Sequence, residues 1–245
     1  MRVIHAGTEG FAPLNQKIRD ALCEEDLIQV LNVNGQRYIG CALGHGKALE
    51  LHGTPGNDMA AYLDGGRVEV FGNAQEAVGN TMNGGEIIIH GHAGDALGYA
   101  MRDGSIYIQN RVGSRAGIHI KEYGAMRPCV IIGGVAGAFL GEYMAGGTIV
   151  VLGLGREPGQ PVVGPHCATG MHGGRIFIRG ELPRQNLGGN LTVSEPTELE
   201  QNELLEYVGK YCAYFDCPAD EILSKPFYRL APTTARPYAN LYTPV

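Results

Sequence analysis

Seven short segments of the chain repeat one alternation of apolar residues. The flanking apolar pairs are Leu49/Leu51, Val68/Val70, Ile87/Ile89, Ile106/Ile108, Val130/Ile132, Ile149/Val151 and Ile176/Ile178. A period of two belongs to a strand that turns one face inward. The pattern is fullest in GGRVEVFG, GGEIIIHG, GGTIVVLG and GGRIFIRG, which begin at Gly65, Gly84, Gly146 and Gly173. Weaker copies begin at Gly46, Asp103 and Arg127. The steps Gly46 to Gly65, Gly65 to Gly84, Gly84 to Asp103 and Arg127 to Gly146 are each 19 residues. Against that period, the coil before Arg127 carries 5 extra residues and the coil before Gly173 carries 8.

Between the strands runs a second pattern, G-x-x-G-x-x-x-G. It is complete at Gly91, Gly94, Gly98 and at Gly134, Gly137, Gly141, and partial at Gly53/Gly56, Gly72/Gly79 and Gly113/Gly117. Leu63, Met82, Met101, Met144 or Met171 stands two residues before the next strand block. No inter-strand stretch is long enough for a crossover helix, and hairpins would not keep one period for identical strands. Stacked parallel coils would. The pattern predicts an all-β fold, a parallel β-helix of about eight ~19-residue coils over residues 28–192. Parallel crossovers favour the right-handed form.

Two other segments frame the repeat. Residues 1–27 form an N-terminal segment with one short amphipathic stretch, QKIRDALCEEDLI. Residues 193–245 form a tail: PTELEQNELLEYVGKYCAYF reads as a helix with Thr197 as N-cap before Glu200. ADEILSKPFYRL and the Pro/Tyr-rich APTTARPYANLYTPV come after it. Such appendages are expected to cap or cover a solenoid whose ends would otherwise pair edge to edge. The central, outward column of the strands runs Glu50, Glu69, Ile88, Tyr107, Ile131, Val150, Phe177. Its five apolar members would make a large exposed patch, so the tail or a partner subunit is expected to bury it. On this assignment Ile131→Asp disrupts the cover, Ile89→Asp unfolds the coil, and Glu69→Lys is nearly neutral.

Composition narrows the function. The chain has 245 residues, 38 of them glycine, and a net charge of −6. That excludes a basic nucleic-acid footprint and a polybasic membrane patch. No apolar run is long enough to span a bilayer, and MRVIHAGTEG has no signal-peptide core. The scattered cysteines (Cys23, Cys41, Cys129, Cys167, Cys212, Cys217) contain no CxxC and read as reduced thiols of a cytoplasmic protein.

Candidate chemistry is sparse. IVVLGLGREPG (Ile149–Gly159) has glycines after a strand, but a dinucleotide loop needs a helix to receive the pyrophosphate, and Pro158 makes none. His52 and His90 share a column two coils apart with Phe71 between them, which puts ~9–10 Å between backbones, awkward for one zinc. His90 and His92 bracket a corner glycine. His166, Cys167 and His172 surround the 8-residue insertion without a further nameable ligand. Ser114, beside Arg111 and Arg115, sits in a small basic corner suited to an anion or a partner carboxylate. The loop REPGQPVVGPHCATG is the largest departure from the repeat, and solenoid insertions often carry binding. No residue is assigned a catalytic, cofactor-binding or metal role.

The G-x-x-G-x-x-x-G repeats, with GG-x-I-x-I-x-G strands between them, resemble the C-terminal domain of the glutamate synthase large subunit, here as a stand-alone chain. The similarity covers residues 28–192, and KPFYRLAPTTARPYANLY resembles the segment after this domain in stand-alone members. Similar repeats occur in one of the subunits of formylmethanofuran dehydrogenase, in its formyltransferase/hydrolase relatives and in N-methylglutamate synthase. The resemblance implies a right-handed β-helix and a non-catalytic scaffold subunit in glutamate biosynthesis. FMN and an iron–sulfur cluster would sit on a partner synthase chain, with a glutaminase chain as second partner. The alternative is the corresponding subunit of a formyl-transfer or N-methylglutamate complex. A free-standing hydrolase using the His166–His172 loop is a further one.

Overall fold

A computed structural model describes residues 2–234. The elements are β1 (Arg2–His5), α1 (Phe11–Glu24), β2 (Leu27–Asn34), β3 (Ala48–Thr54), β4 (Asp64–Phe71), β5 (Asn83–Ile89) and β6 (Asp103–Ile108). They continue with β7 (Cys129–Ile132), β8 (Ala145–Val151), β9 (Gly173–Arg179), β10 (Leu191–Ser194), α2 (Glu198–Phe215), α3 (Ala219–Leu223) and β11 (Phe227–Pro232). Strands β1 to β9 pair in sequence order, all parallel, and the sheet ends β9-β11-β10. The chain is therefore a parallel β-solenoid with a helical tail.

The registers follow the apolar repeat. Leu49 opposes Val68, which opposes Ile87, then Ile106, Val130, Ile149 and Ile176. A second ladder runs Leu51, Val70, Ile89, Ile108, Ile132, Val151, Ile178. Both ladders are buried in one continuous core. Each such side chain contributes about 1.5–3 kcal/mol when fully buried.

The corners explain the glycine motif. Three alternate residues per coil adopt the left-handed conformation, for example Phe139 (φ 60), Gly141 (φ 64) and Tyr143 (φ 53). The middle one faces the core: a Cβ on Gly141 would lie 2.7 Å from Ile176 Cδ1. The second glycine of the motif has another task. A Cβ on Gly137 would stand 2.7 Å from the backbone of Gly113 and Ser114, so it allows one coil to lie against the next.

The ends hold elements that the repeat does not foretell. In the N-terminal segment, β1 adds a parallel strand to β2, and α1 packs Leu14, Ile18 and Ala21 inward. In the tail, β11 inserts antiparallel between β9 and β10. Its sequence reads as irregular because the five residues between Pro226 and Pro232 give almost no period. The Pro/Tyr-rich segment from residue 235 onward lies outside the described residues.

Helix α2 lies over the outward column. Ile88, Tyr107, Ile131, Val150 and Phe177 form one cluster with Leu204, Val208, Tyr211 and Phe215 of α2, with Ile222 of α3 and with Phe227 of β11. The helix is started by a capping box: Thr197 Oγ1 accepts from Glu200 N, and Glu200 Oε2 accepts from Thr197 N at 2.9 Å. Tyr211 Oη donates to Gln109 O at 2.8 Å. Glu200 also accepts from Arg229 at 2.7 Å and pairs with Arg175 at 3.4 Å, which ties α2 to β9 and β11. Buried Arg179 donates to Leu152 O, Glu221 O and Ile222 O, fixing α3 to the last coils.

Glu69 corrects one expectation. Its carboxylate is only 17% exposed and pairs with Arg67 at 2.9 Å and with His90 Nε2 at 2.8 Å. A lysine there would face Arg67, so Glu69→Lys is not neutral.

Candidate functional site

The 8-residue insertion builds the most distinctive surface. After β8 the chain turns outward, held by Gly153 N donating to Gly134 O and Leu154 N donating to Gly133 O. No helix comes next, and the following strand is β9, so the glycines of Ile149–Gly159 serve a loop. Residues 157–160 close on themselves: Gln160 N donates to Glu157 O at 3.0 Å, and Glu157 N donates to Gln160 Oε1 at 3.1 Å. Arg156 clamps this turn. It donates to Gln160 O at 3.1 Å and to Glu181 Oε2, beyond β9, at 2.8 Å. That bond and the guanidinium charge hold the Glu181 carboxyl below its ordinary range.

The loop is a wall between two polar clefts. On one side a cleft of 330 Å³ is lined by His92, Asn110, Arg111, Gly134, Val135 and the loop residues Leu154–Glu157 and Gln160. On the other a cleft of 590 Å³ is lined by Arg156, Gln160, Glu181, Arg184, Asn186 and Tyr228, among others. Among the described residues, Arg111 has no side-chain partner. The first cleft thus brings Arg111, Asn110 and Glu157 into one lining. Groups of this kind hold a carboxylate- or phosphate-bearing ligand, or a polar loop of another chain.

The structure unites two features that the sequence left apart. Arg111 of the basic corner and the insertion loop line one cleft. Arg115 and Ser114 do not line it: Arg115 lies 5.5 Å over the Phe139 ring and 3.8 Å from Glu142, and the Ser114 backbone N–H donates to Asp95 Oδ1 at 2.7 Å. His92 lines the same cleft as Arg111. Its position one coil earlier, 19 residues before Arg111, was the signal that could have joined them.

The remaining histidines singled out by the sequence are engaged. Phe71 stacks between His52 and His90 at centroid distances of 4.7 and 4.8 Å, so a ring fills the space between the two imidazoles. His166 stacks on Phe139 at 4.8 Å, and His172 Nδ1 lies 3.2 Å from Gly170 O. Cys167 is buried, and burial pushes its thiol up to about 12. Those three residues share no common point of ligation. Among the described residues, no group of three or more His, Cys, Asp or Glu is arranged to hold a metal ion. Among the described residues, no helix is long and apolar enough to cross a membrane.

Comparison with known proteins adds three findings. The family model described as GXGXG motif matches residues 29–233. An uncharacterized protein of Methanocaldococcus jannaschii, MJ1350, is 44% identical over 252 residues, covering 99% of this chain and 96% of that one. Among solved structures, a chain of the formyltransferase/hydrolase complex FhcABCD from Methylorubrum extorquens, determined with methylofuran, superposes with a TM-score of 0.63. That likeness covers 85% of this chain and 78% of the other at 21% identity, which makes it a likeness of fold.

Proposed function

Since this chain belongs to the GXGXG motif family, we propose that it is a β-helical subunit of a multi-chain enzyme complex of the formyltransferase/hydrolase type. One observation carries the reading: a likeness extending over 85% of this chain and 78% of a chain from such a complex. The glutamate-synthase reading rests on the same glycine motif. It stands second to the reading that the FhcABCD likeness supports. The geometry supports a scaffold in either case. The outward apolar column is covered by the chain's own α2, which leaves the insertion loop and its two clefts as the surface for neighbours. In this role the solenoid holds other chains in fixed relation, and those chains carry the chemistry.

Affinity capture of the tagged chain from its native cells tests this, with mass spectrometry and an absorption spectrum of the eluate. Formyltransferase- and hydrolase-type chains in stoichiometric amount are expected. Flavin and iron–sulfur absorption with synthase and glutaminase chains would overturn the assignment in favour of the glutamate-synthase reading. A chain that turns over a substrate alone would overturn the scaffold role itself.

A further inference from the structure

We propose that Cys212 and Cys217 form a reversible thiol–disulfide pair, a modification site at the C-terminal end of α2. The helix stops where Asp216 turns left-handed (φ 50, ψ 57) and its N–H donates to Cys212 O. The N–H of Cys217 also reaches Cys212 O, at 3.4 Å. A chain reversal of this kind brings the side chains five residues apart into contact, a place ordinarily filled by two apolar groups. Here both positions carry thiols, and the two Sγ atoms lie 3.2 Å apart. Both residues are partly exposed, unlike Cys129 and Cys167, which are buried. The pair therefore meets two requirements for exchange: contact between the sulfurs and access for a small reagent.

The oxidant is a low-molecular-weight disulfide, RSSR. The Cys217 thiolate attacks one sulfur of RSSR and expels RS⁻, which takes up a proton and leaves a mixed disulfide on Cys217. Cys212 is the resolving thiol. Burial, then the neighbouring Cys217 sulfur, push it up to about 12. Once Cys217 is in the mixed disulfide, its sulfur no longer opposes ionisation of Cys212. The Cys212 thiolate then attacks Cys217 Sγ and expels the second RSH. Two protein thiols and RSSR become one protein disulfide and two RSH, and a reductant reverses the sum. Closure would tie the last turn of α2 to the turn that leads into α3. It would thus tighten the cover over the outward column at the end where Tyr211 and Phe215 pack.

The experiment uses the full chain, glutathione disulfide, and then alkylation under denaturing conditions with peptide mass mapping. The exposed thiol Cys23 is an internal control. The expected result is a peptide spanning both residues, lighter by two hydrogens, that resists alkylation and is restored by dithiothreitol. Cys212→Ser should instead trap glutathione on Cys217. The proposal is overturned if Cys212 and Cys217 both stay alkylatable once Cys23 carries glutathione. It is equally overturned if Cys212→Ser acquires no adduct at Cys217 under those conditions. That variant places a small polar group in a partly exposed contact, and the wild-type mapping stands without it.

Discussion

Gly141 and Gly209 are expected to respond to alanine in opposite directions. At Gly141 the backbone is left-handed and a Cβ would meet Ile176, so strain and overpacking add to about 2–4 kcal/mol of lost stability. Gly209 sits inside α2 with nothing within 4 Å of an added Cβ. Alanine there removes the entropic penalty of a mid-helix glycine, a gain of about 0.5–1 kcal/mol. Urea unfolding of the two variants reads both signs. Glu69→Lys should cost about 1 kcal/mol in the same assay, because it removes the Arg67 ion pair and the His90 hydrogen bond and faces Arg67 with a like charge. The spacing held a hint of this. Arg67 is two residues before Glu69 on the same face, and Glu86, 19 residues on, reaches Arg67 from the next coil at 3.5 Å. Column by column the sequence showed which residues are apolar. Ion pairs between columns depend on side-chain rotamers, which a repeat does not specify.

Helix α2 is the element on which the outer face depends. Ile131 is fully buried beneath it. A carboxylate at that position would be desolvated without a partner, so Ile131→Asp is expected to undock the helix. Limited proteolysis should then cut within 198–215 while the solenoid survives as a resistant fragment; cleavage throughout would mean the coil itself is lost. The anchoring charge of the helix is Glu200. Burial acts to raise its pKa, but the hydrogen bonds from Thr197 and Arg229 outweigh burial and the net shift is downward. A depressed carboxylate stabilises the fold fully above its ordinary value of 4.5, and that contribution is lost as pH falls through the lower folded value. Stability should therefore fall below pH 4.5, and Glu200→Gln should flatten that limb of the profile. Thr197 and Glu200 were legible as a cap because the spacing is local. The bonds from Arg175 and Arg229 to Glu200 join residues 25 and 29 positions away, which no local pattern reports.

For the whole molecule, the repeat made the solenoid readable while its two ends stayed obscure. Strand registers follow from the 19-residue step and the apolar ladders. The end strands β1 and β11 fall outside that step: β1 pairs with β2 across a 26-residue offset, Arg2 opposite Ile28, and β11 runs antiparallel to β9. The insertion before Gly173 was visible as extra length, but the clefts it lines were not. They depend on Arg156 folding the loop back toward Glu181, and on Arg111 and His92 from earlier coils reaching the same space. A solenoid with one face closed by its own helix and a polar loop left standing fits a chain that works beside others. The mass of the native particle tests this most directly, measured by native mass spectrometry on chain purified at its natural abundance. A particle well above the 26.1 kDa of the single chain, containing other polypeptides in fixed ratio, is the expected result. A stable particle of 26.1 kDa, or one made only of copies of this chain, would contradict it.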